Sequence, residues 1–217
     1  MRRVRWLRLL IGWLAVACVA ILAVLNGRPE FSNASVAPRG VASSLVALEV
    51  ARNVDEVDSI LGEAPSPDRE TMRIKQYIDF GFIGCWVGLY VALGVFFQGP
   101  VAMAAAVCGV AAGAAEVMQN IAILRIVDTR LRDTSQEMVD AIRYPGLAKW
   151  ALAWVAAGLI GYVFLRSQGW VARVIGGANV VAAVVGIYGL FDNAFLVWAG
   201  VPMVAGLAGV ILRFLFR

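Results

Sequence analysis

Residues 101–124, VAMAAAVCGVAAGAAEVMQNIAIL, decide the fold class of this chain. As an α-helix the run is about 36 Å long, at 1.5 Å per residue, and the hydrocarbon core of a bilayer is ~30 Å thick. Three polar side chains, Glu116, Gln119 and Asn120, interrupt the run, and Glu116 and Asn120 lie one helical turn apart. Because a charge at membrane depth costs roughly 2.5–3.5 kcal/mol on insertion scales, Glu116 is predicted to face protein and not lipid.

The rest of the chain repeats this pattern of long apolar runs. Its 217 residues are 61% hydrophobic, with a mean hydropathy of +0.78, whereas a soluble domain is about 45–50% apolar. Open strands cannot cross lipid, because their backbone groups would lack hydrogen-bond partners. The sequence therefore predicts an all-α, polytopic integral membrane helical bundle of about six transmembrane helices, the other five lying at about 7–25, 77–97, 147–165, 171–191 and 194–212.

The sequence predicts three regions. Residues 1–25 form an N-terminal membrane anchor helix, 26–76 an extracytoplasmic segment with short amphipathic helices, and 77–217 the transmembrane bundle. The basic start and apolar run of 1–25 would also suit a cleaved signal peptide. No clear small-x-small cleavage site follows before Asn26, so an uncleaved anchor is predicted.

The segment 26–76 contains helix boundary signals. Asn53 followed by Glu56 has the spacing of a capping box, in which each side chain satisfies backbone donors of the other. Gly62 can end that helix in a left-handed conformation. Ser66 and Pro67 have the pattern of an N-cap and a first helical residue, so the second spanning helix is predicted to begin near Pro67.

Charge distribution predicts the orientation of the bundle. With the N-terminus inside, the short cytoplasmic pieces carry arginine and no acid, while 26–76 and 125–146 carry both signs. This is the asymmetry that the positive-inside rule describes, and it predicts that both termini are cytoplasmic. All basic residues except Lys75 and Lys149 are arginine, and Ala, Gly and Val are abundant, as in proteins from GC-rich bacterial genomes. We therefore expect the cytoplasmic (inner) membrane of a bacterium.

Ionisable residues inside the apolar runs are the candidate site. With both termini cytoplasmic, these residues lie in the half of the bilayer away from the cytoplasm. An ammonium group and carboxylates at the same depth can pair, which offsets part of their desolvation. The candidate buried polar network or ligand site consists of Asp79, Glu116, Asn120, Lys149 and Asp192. Possible pocket-lining residues are Trp86, Tyr90 and Tyr188.

The pattern leaves the role of this network open. Glu116 with Asn120 could fix helix register, Asp79 and Lys149 could reach the interface, and Asp192 could cap a helix. A functional pocket or proton-linked site is the alternative, in which Glu116 is expected to exchange the proton. Membrane lipid is the expected partner, and small-residue helix faces could hold a protein partner or a second copy of the chain, through Gly84, Gly88, Gly109 and Gly113.

Several functional classes lack the residues that they need. Histidine is absent, which removes the commonest metal ligand and general base. The three cysteines lie singly, and no phosphate-binding glycine loop occurs. We therefore predict no catalytic residues, metal, cofactor or nucleic-acid partner. The leading interpretation is a non-catalytic accessory or scaffold protein; a small proton-linked carrier or channel using Glu116, Asp79 and Lys149 is second, and an enzyme acting on outer-leaflet lipid is third.

Overall fold

A computed structural model describes residues 2–27, 43–192 and 194–216 of the chain. Its regular structure is helical throughout these residues, which confirms the all-α prediction. Residues 28–42 of the predicted 26–76 segment lie outside the described part. The helices are α1 (Arg2–Asn26), α2 (Ser44–Glu49), α3 (Val54–Leu61), α4 (Pro67–Phe97), α5 (Pro100–Asp128), α6 (Gln136–Leu165), α7 (Trp170–Gly189) and α8 (Ala194–Leu215), with a short 3-10 helix at Leu131–Asp133.

The six long helices α1 and α4–α8 form a closed ring. Each is long and apolar enough to cross a membrane, so the multi-pass prediction is confirmed. Each of α4–α8 packs against its neighbours in the sequence, and α1 packs against both α4 and α8. The core inside the ring includes Ile11, Leu89, Phe164 and Ile175, all nearly inaccessible to solvent. The ring therefore encloses an axis along which side chains from several helices meet.

The short helices α2 and α3 cover one end of the ring, which we call the capped end. They pack on α4 and α6, and together with α5 these elements bury an apolar cluster that includes Leu48, Leu61, Met72 and Ile123. The start of α1 and the end of α8 lie at the opposite end, where the Arg8 guanidinium donates to a backbone carbonyl near the end of α8. We call this opposite end the terminal end.

Local signals explain the ends of α3 and the start of α4. Asn53 Oδ1 accepts from the Glu56 N–H at 2.9 Å, and Gly62 ends α3 with φ of +64°. Glu56 Oε2 accepts from the backbone N–H of residue 52 at 2.8 Å, one residue before the donor that a capping box predicts. Ser66 Oγ accepts from the N–H of residue 69, and α4 begins at Pro67 as predicted.

Two helices extend beyond their apolar runs. Helix α5 continues to Asp128, although its apolar run ends at 124. Helix α6 begins at Gln136, although its apolar run begins at 147. Hydropathy detects only the part of a helix suited to lipid, whereas a helix continues wherever its backbone groups are paired. The charged segment 125–146 is thus mostly helical, and it includes Pro145 inside α6.

Arg69 joins α4 to the ends of α3 and α5. The side chain is only 2% exposed, and its Nη1 donates to the carbonyls of Ile126, Val127 and Thr129 at 2.8–3.2 Å. Its Nε donates to the Gly62 carbonyl at 2.9 Å. One guanidinium therefore satisfies carbonyls at two helix ends, where no intrahelical partner is available.

The small residues of these helix faces mainly contact other helices of the ring. A Cβ added at Gly113 would lie 2.3 Å from Val87 Cγ2, and one at Gly109 would lie 2.8 Å from Tyr90 Cβ. These glycines therefore allow the close approach of α4 and α5. A Cβ at Gly88 would make an ordinary contact with α1, and one at Gly84 would meet nothing within 4 Å. The use of these faces by a protein partner or a second copy stays a prediction.

The predicted orientation can be tested by labelling single cysteines at the two ends of the ring. In a background with Cys18, Cys85 and Cys108 replaced by alanine, we expect an impermeant maleimide to label Ser135→Cys in intact cells. It should label Gln168→Cys only after the membrane is opened, because this residue lies at the terminal end. The opposite pattern would reverse the orientation.

Candidate functional site

Lys149 is the centre of a buried ionic cluster near the capped end. It is 5% exposed, and its Nζ lies 2.8 Å from Glu49 Oε1 and 3.1 Å from Glu116 Oε1. The same ammonium lies 5.0 Å from the ring centroid of Trp150, within cation–π range. Three elements, α2, α5 and α6, thus contribute to one cluster, in which two carboxylates share one ammonium.

Glu49 is the residue that the short covering helix α2 contributes to the ionic cluster. It is the last residue of α2, is 5% exposed, and accepts from Trp150 Nε1 at 3.0 Å through its second oxygen. Gly146 makes this approach possible, because a Cβ there would lie 3.1 Å from the Glu49 carbonyl oxygen and 2.3 Å from Gln119 Nε2. The position of the cap therefore depends on a glycine of α6.

A second polar pair lies beside this cluster. Asn120 Nδ2 donates to Asp79 Oδ2 at 2.7 Å, which links α5 to α4. Within the described residues, Asp79 Oδ1 and Glu116 Oε2 accept no hydrogen bond. Each of these carboxyl groups thus keeps one oxygen available.

Both carboxyl groups, of Asp79 and Glu116, line a cavity of about 200 Å³ inside the ring, which we call the large cavity. One water molecule needs only roughly 10–15 Å³, so the space is large enough for an organic group. Its charged lining is Glu49, Lys75, Asp79, Glu116 and Lys149. The rest of the described lining is largely apolar and aromatic, and includes Leu22, Leu25, Phe82, Trp86, Trp154 and Met203.

A much smaller cavity of about 20 Å³ lies farther along the axis of the ring. It shares Trp86 and Met203 with the larger cavity, and Tyr90 lines it. Towards the terminal end, phenylalanine rings of α4, α6 and α8 pack edge to face with centroids 4.9–5.2 Å apart. The ring interior is thus polar and hollow near the capped end, and filled by aromatic rings near the terminal end.

The structure brings together most of the residues selected from the sequence. Asp79, Glu116 and Lys149 line the large cavity, Asn120 holds Asp79, and Trp86 forms part of the wall.

Three of the selected residues lie elsewhere. Tyr90 lines only the smaller cavity. Asp192 and Tyr188 are exposed and line neither cavity, because the end of α7 turns these side chains outward; the Tyr188 ring packs on Phe195. Both residues therefore lie apart from the two cavities, and a role for them in a site stays a prediction.

Glu49, Lys75, Trp150 and Trp154 were missing from the predicted site. Lys75 carries a signal that helical spacing could have revealed. It precedes Asp79, a predicted site residue, by four residues and therefore shares its helix face. The partners of Glu49 come from distant parts of the chain, and no local pattern indicates them.

The fold and the site define a class: a multi-pass helical membrane protein with a charged, partly aromatic cavity inside the ring. Among the described residues, no three Cys, Asp or Glu side chains are arranged to hold a metal ion. No known protein-family model, curated protein or solved structure is detectably similar to this chain.

Proposed function

We propose that this protein binds a small amphipathic molecule in the large cavity. The observation that carries the proposal is that one cavity lining combines charged groups, at Asp79, Glu116 and Lys149, with apolar and aromatic side chains. Ligand sites typically combine an apolar wall with a few convergent polar groups. The volume is below the ~300–1,000 Å³ of drug-sized pockets, so the ligand is small.

A purely structural network would not need this space. Protein interiors are close-packed, and voids larger than a water molecule are few. A network that only fixed helix register would be most stable with its polar atoms paired and the space beside it filled. Here two carboxyl oxygens remain without a partner among the described residues, and they belong to groups that line the cavity. This favours binding inside the bundle over the accessory role of the bundle surface.

A carrier is the second candidate function. The smaller cavity continues the larger one along the ring axis, and only Trp86 and Met203 are common to both linings. Movement of these two side chains would join the cavities. Uptake of a bound probe by proteoliposomes tests this, because a binding protein that does not transport would retain affinity and show no uptake above empty liposomes.

Filling the cavity should remove binding. Ala153 lines the cavity, and Ala153→Leu adds bulk there, whereas Ala104 is exposed and Ala104→Leu is the matched control. Calorimetric titration in nanodiscs can use three probes of equal chain length, namely hexylammonium, 1-hexanol and hexanoate, with empty nanodiscs subtracted. We expect at least one probe to bind saturably to the wild type and the control, and at least about tenfold more weakly to the filled variant. If none binds saturably, or if the filled variant binds as the wild type does, the proposal is wrong.

A further inference from the structure

We propose that the ligand of the large cavity is an organic cation, an ammonium group with a short apolar chain. This inference rests on the proposed function and specifies the chemical class of the ligand. Its basis is the combination of spare carboxyl oxygens and aromatic rings in one cavity.

The charge of the lining favours a cation. Three carboxyl groups, Glu49, Asp79 and Glu116, face two ammonium groups, Lys75 and Lys149. Lys149 is already bound by Glu49 and Glu116. With every group ionised, the described part of the lining carries one more negative charge than positive, and an uncompensated buried charge is costly. A cationic ligand supplies the missing charge, whereas an anionic ligand increases the imbalance.

The two spare carboxyl oxygens are suitable acceptors for an ammonium donor. Asp79 Oδ1 and Glu116 Oε2 belong to carboxyl groups of neighbouring helices, and no described residue donates to either atom. An N⁺–H donor forms hydrogen bonds to carboxylates that are about twice as strong as neutral ones. A neutral hydroxyl could donate to one oxygen, but it would leave the charge uncompensated. Lys75, the second ammonium group of the lining, makes an interaction of its own.

Aromatic rings beside the carboxyl groups add to this preference. Lys75, Asp79, Phe82 and Trp86 follow one another at helical spacing along α4 and all line the cavity. The Phe82 and Trp86 rings stack at 5.9 Å between centroids. Cations are attracted to the faces of such rings, and the attraction is stronger when the site is shielded from water. Trp150 already binds the Lys149 ammonium in this way.

The experiment compares the three hexyl probes on matched variants in nanodiscs. The wild type should bind hexylammonium at least about tenfold more tightly than 1-hexanol or hexanoate. Asp79→Asn should weaken hexylammonium binding by about tenfold or more and bring it close to that of 1-hexanol. Glu116→Gln, which retains an acceptor for Lys149, is the second variant and should act in the same direction. Asp133→Asn, an exposed carboxyl of the 3-10 helix, should leave all three affinities unchanged.

The outcomes separate this inference from the proposed function. Saturable binding of 1-hexanol or hexanoate, lost in Ala153→Leu but equal to or tighter than that of hexylammonium, would support a binding cavity and overturn the cation. Equal affinity of hexylammonium for the wild type and for both correctly folded carboxyl variants would also overturn it. Absence of saturable binding for all three probes would overturn both proposals. Size-exclusion chromatography establishes that each variant is folded.

Discussion

Lys149→Met should lower the free energy of unfolding by about 3–5 kcal/mol, which is the usual cost of removing one partner from a buried ion pair. The ammonium is the shared partner of Glu49 and Glu116, and both lie in the bundle interior at 2.8 and 3.1 Å from it. Without it, two carboxyl groups remain buried beside each other and Trp150 loses its cation. Chemical unfolding of the purified protein in detergent micelles measures the change.

A combined variant provides the decisive control for this prediction. Adding Glu49→Gln and Glu116→Gln to Lys149→Met removes the stranded charges, so the triple variant should be more stable than Lys149→Met alone. Additive effects of the three substitutions would mean that the groups do not interact in the folded protein. A change below about 1 kcal/mol for Lys149→Met would show that the cluster is solvated, as exposed ion pairs are.

Arg69→Gln should destabilise the capped end by about 3 kcal/mol or more, because each buried carbonyl left without a donor costs about 1–3 kcal/mol. The guanidinium donates to the Gly62, Ile126, Val127 and Thr129 carbonyls, which belong to the ends of α3 and α5. Glutamine is too short and has too few donors to replace these bonds. Hydrogen exchange should show faster exchange in α3 and in the last turns of α5.

Arg73→Gln is the matched control for Arg69→Gln. Arg73 lies one turn farther along α4 and pairs with Glu70 and Asp128, whose side chains are 57% and 65% exposed. Exposed ion pairs contribute little, so this variant should be far less destabilising than Arg69→Gln. Equal effects of the two substitutions would contradict the assignment of Arg69 as the residue that joins the helix ends.

The fold could be predicted from the sequence because its signals are local. Apolar runs such as 101–124 identify spanning helices by length alone, and Ser66 with Pro67 identifies a helix start by capping chemistry. The closure of the ring by contact between α1 and α8 was not predictable in this way. It depends on side-chain packing between residues almost the whole chain apart.

The site was predictable only in part, for the same physical reason. Charges at membrane depth identify Asp79, Glu116 and Lys149, because lipid penalises them wherever the fold places them. Glu49 lies in a polar segment, where a carboxylate is unremarkable, and only the close approach of α2 at Gly146 brings it to Lys149. Asp192 shows the converse: it follows an apolar run, yet the end of α7 exposes it.

Localising a cationic probe inside the protein tests the central claim most directly. Crystals grown with 6-bromohexylammonium would give an anomalous signal from the bromine atom. We predict a peak in the large cavity, beside Trp86 and Met203, with the ammonium density at Asp79 and Glu116. Bromine peaks confined to the lipid-facing surface, with an unchanged cavity at a saturating probe concentration, would contradict the account.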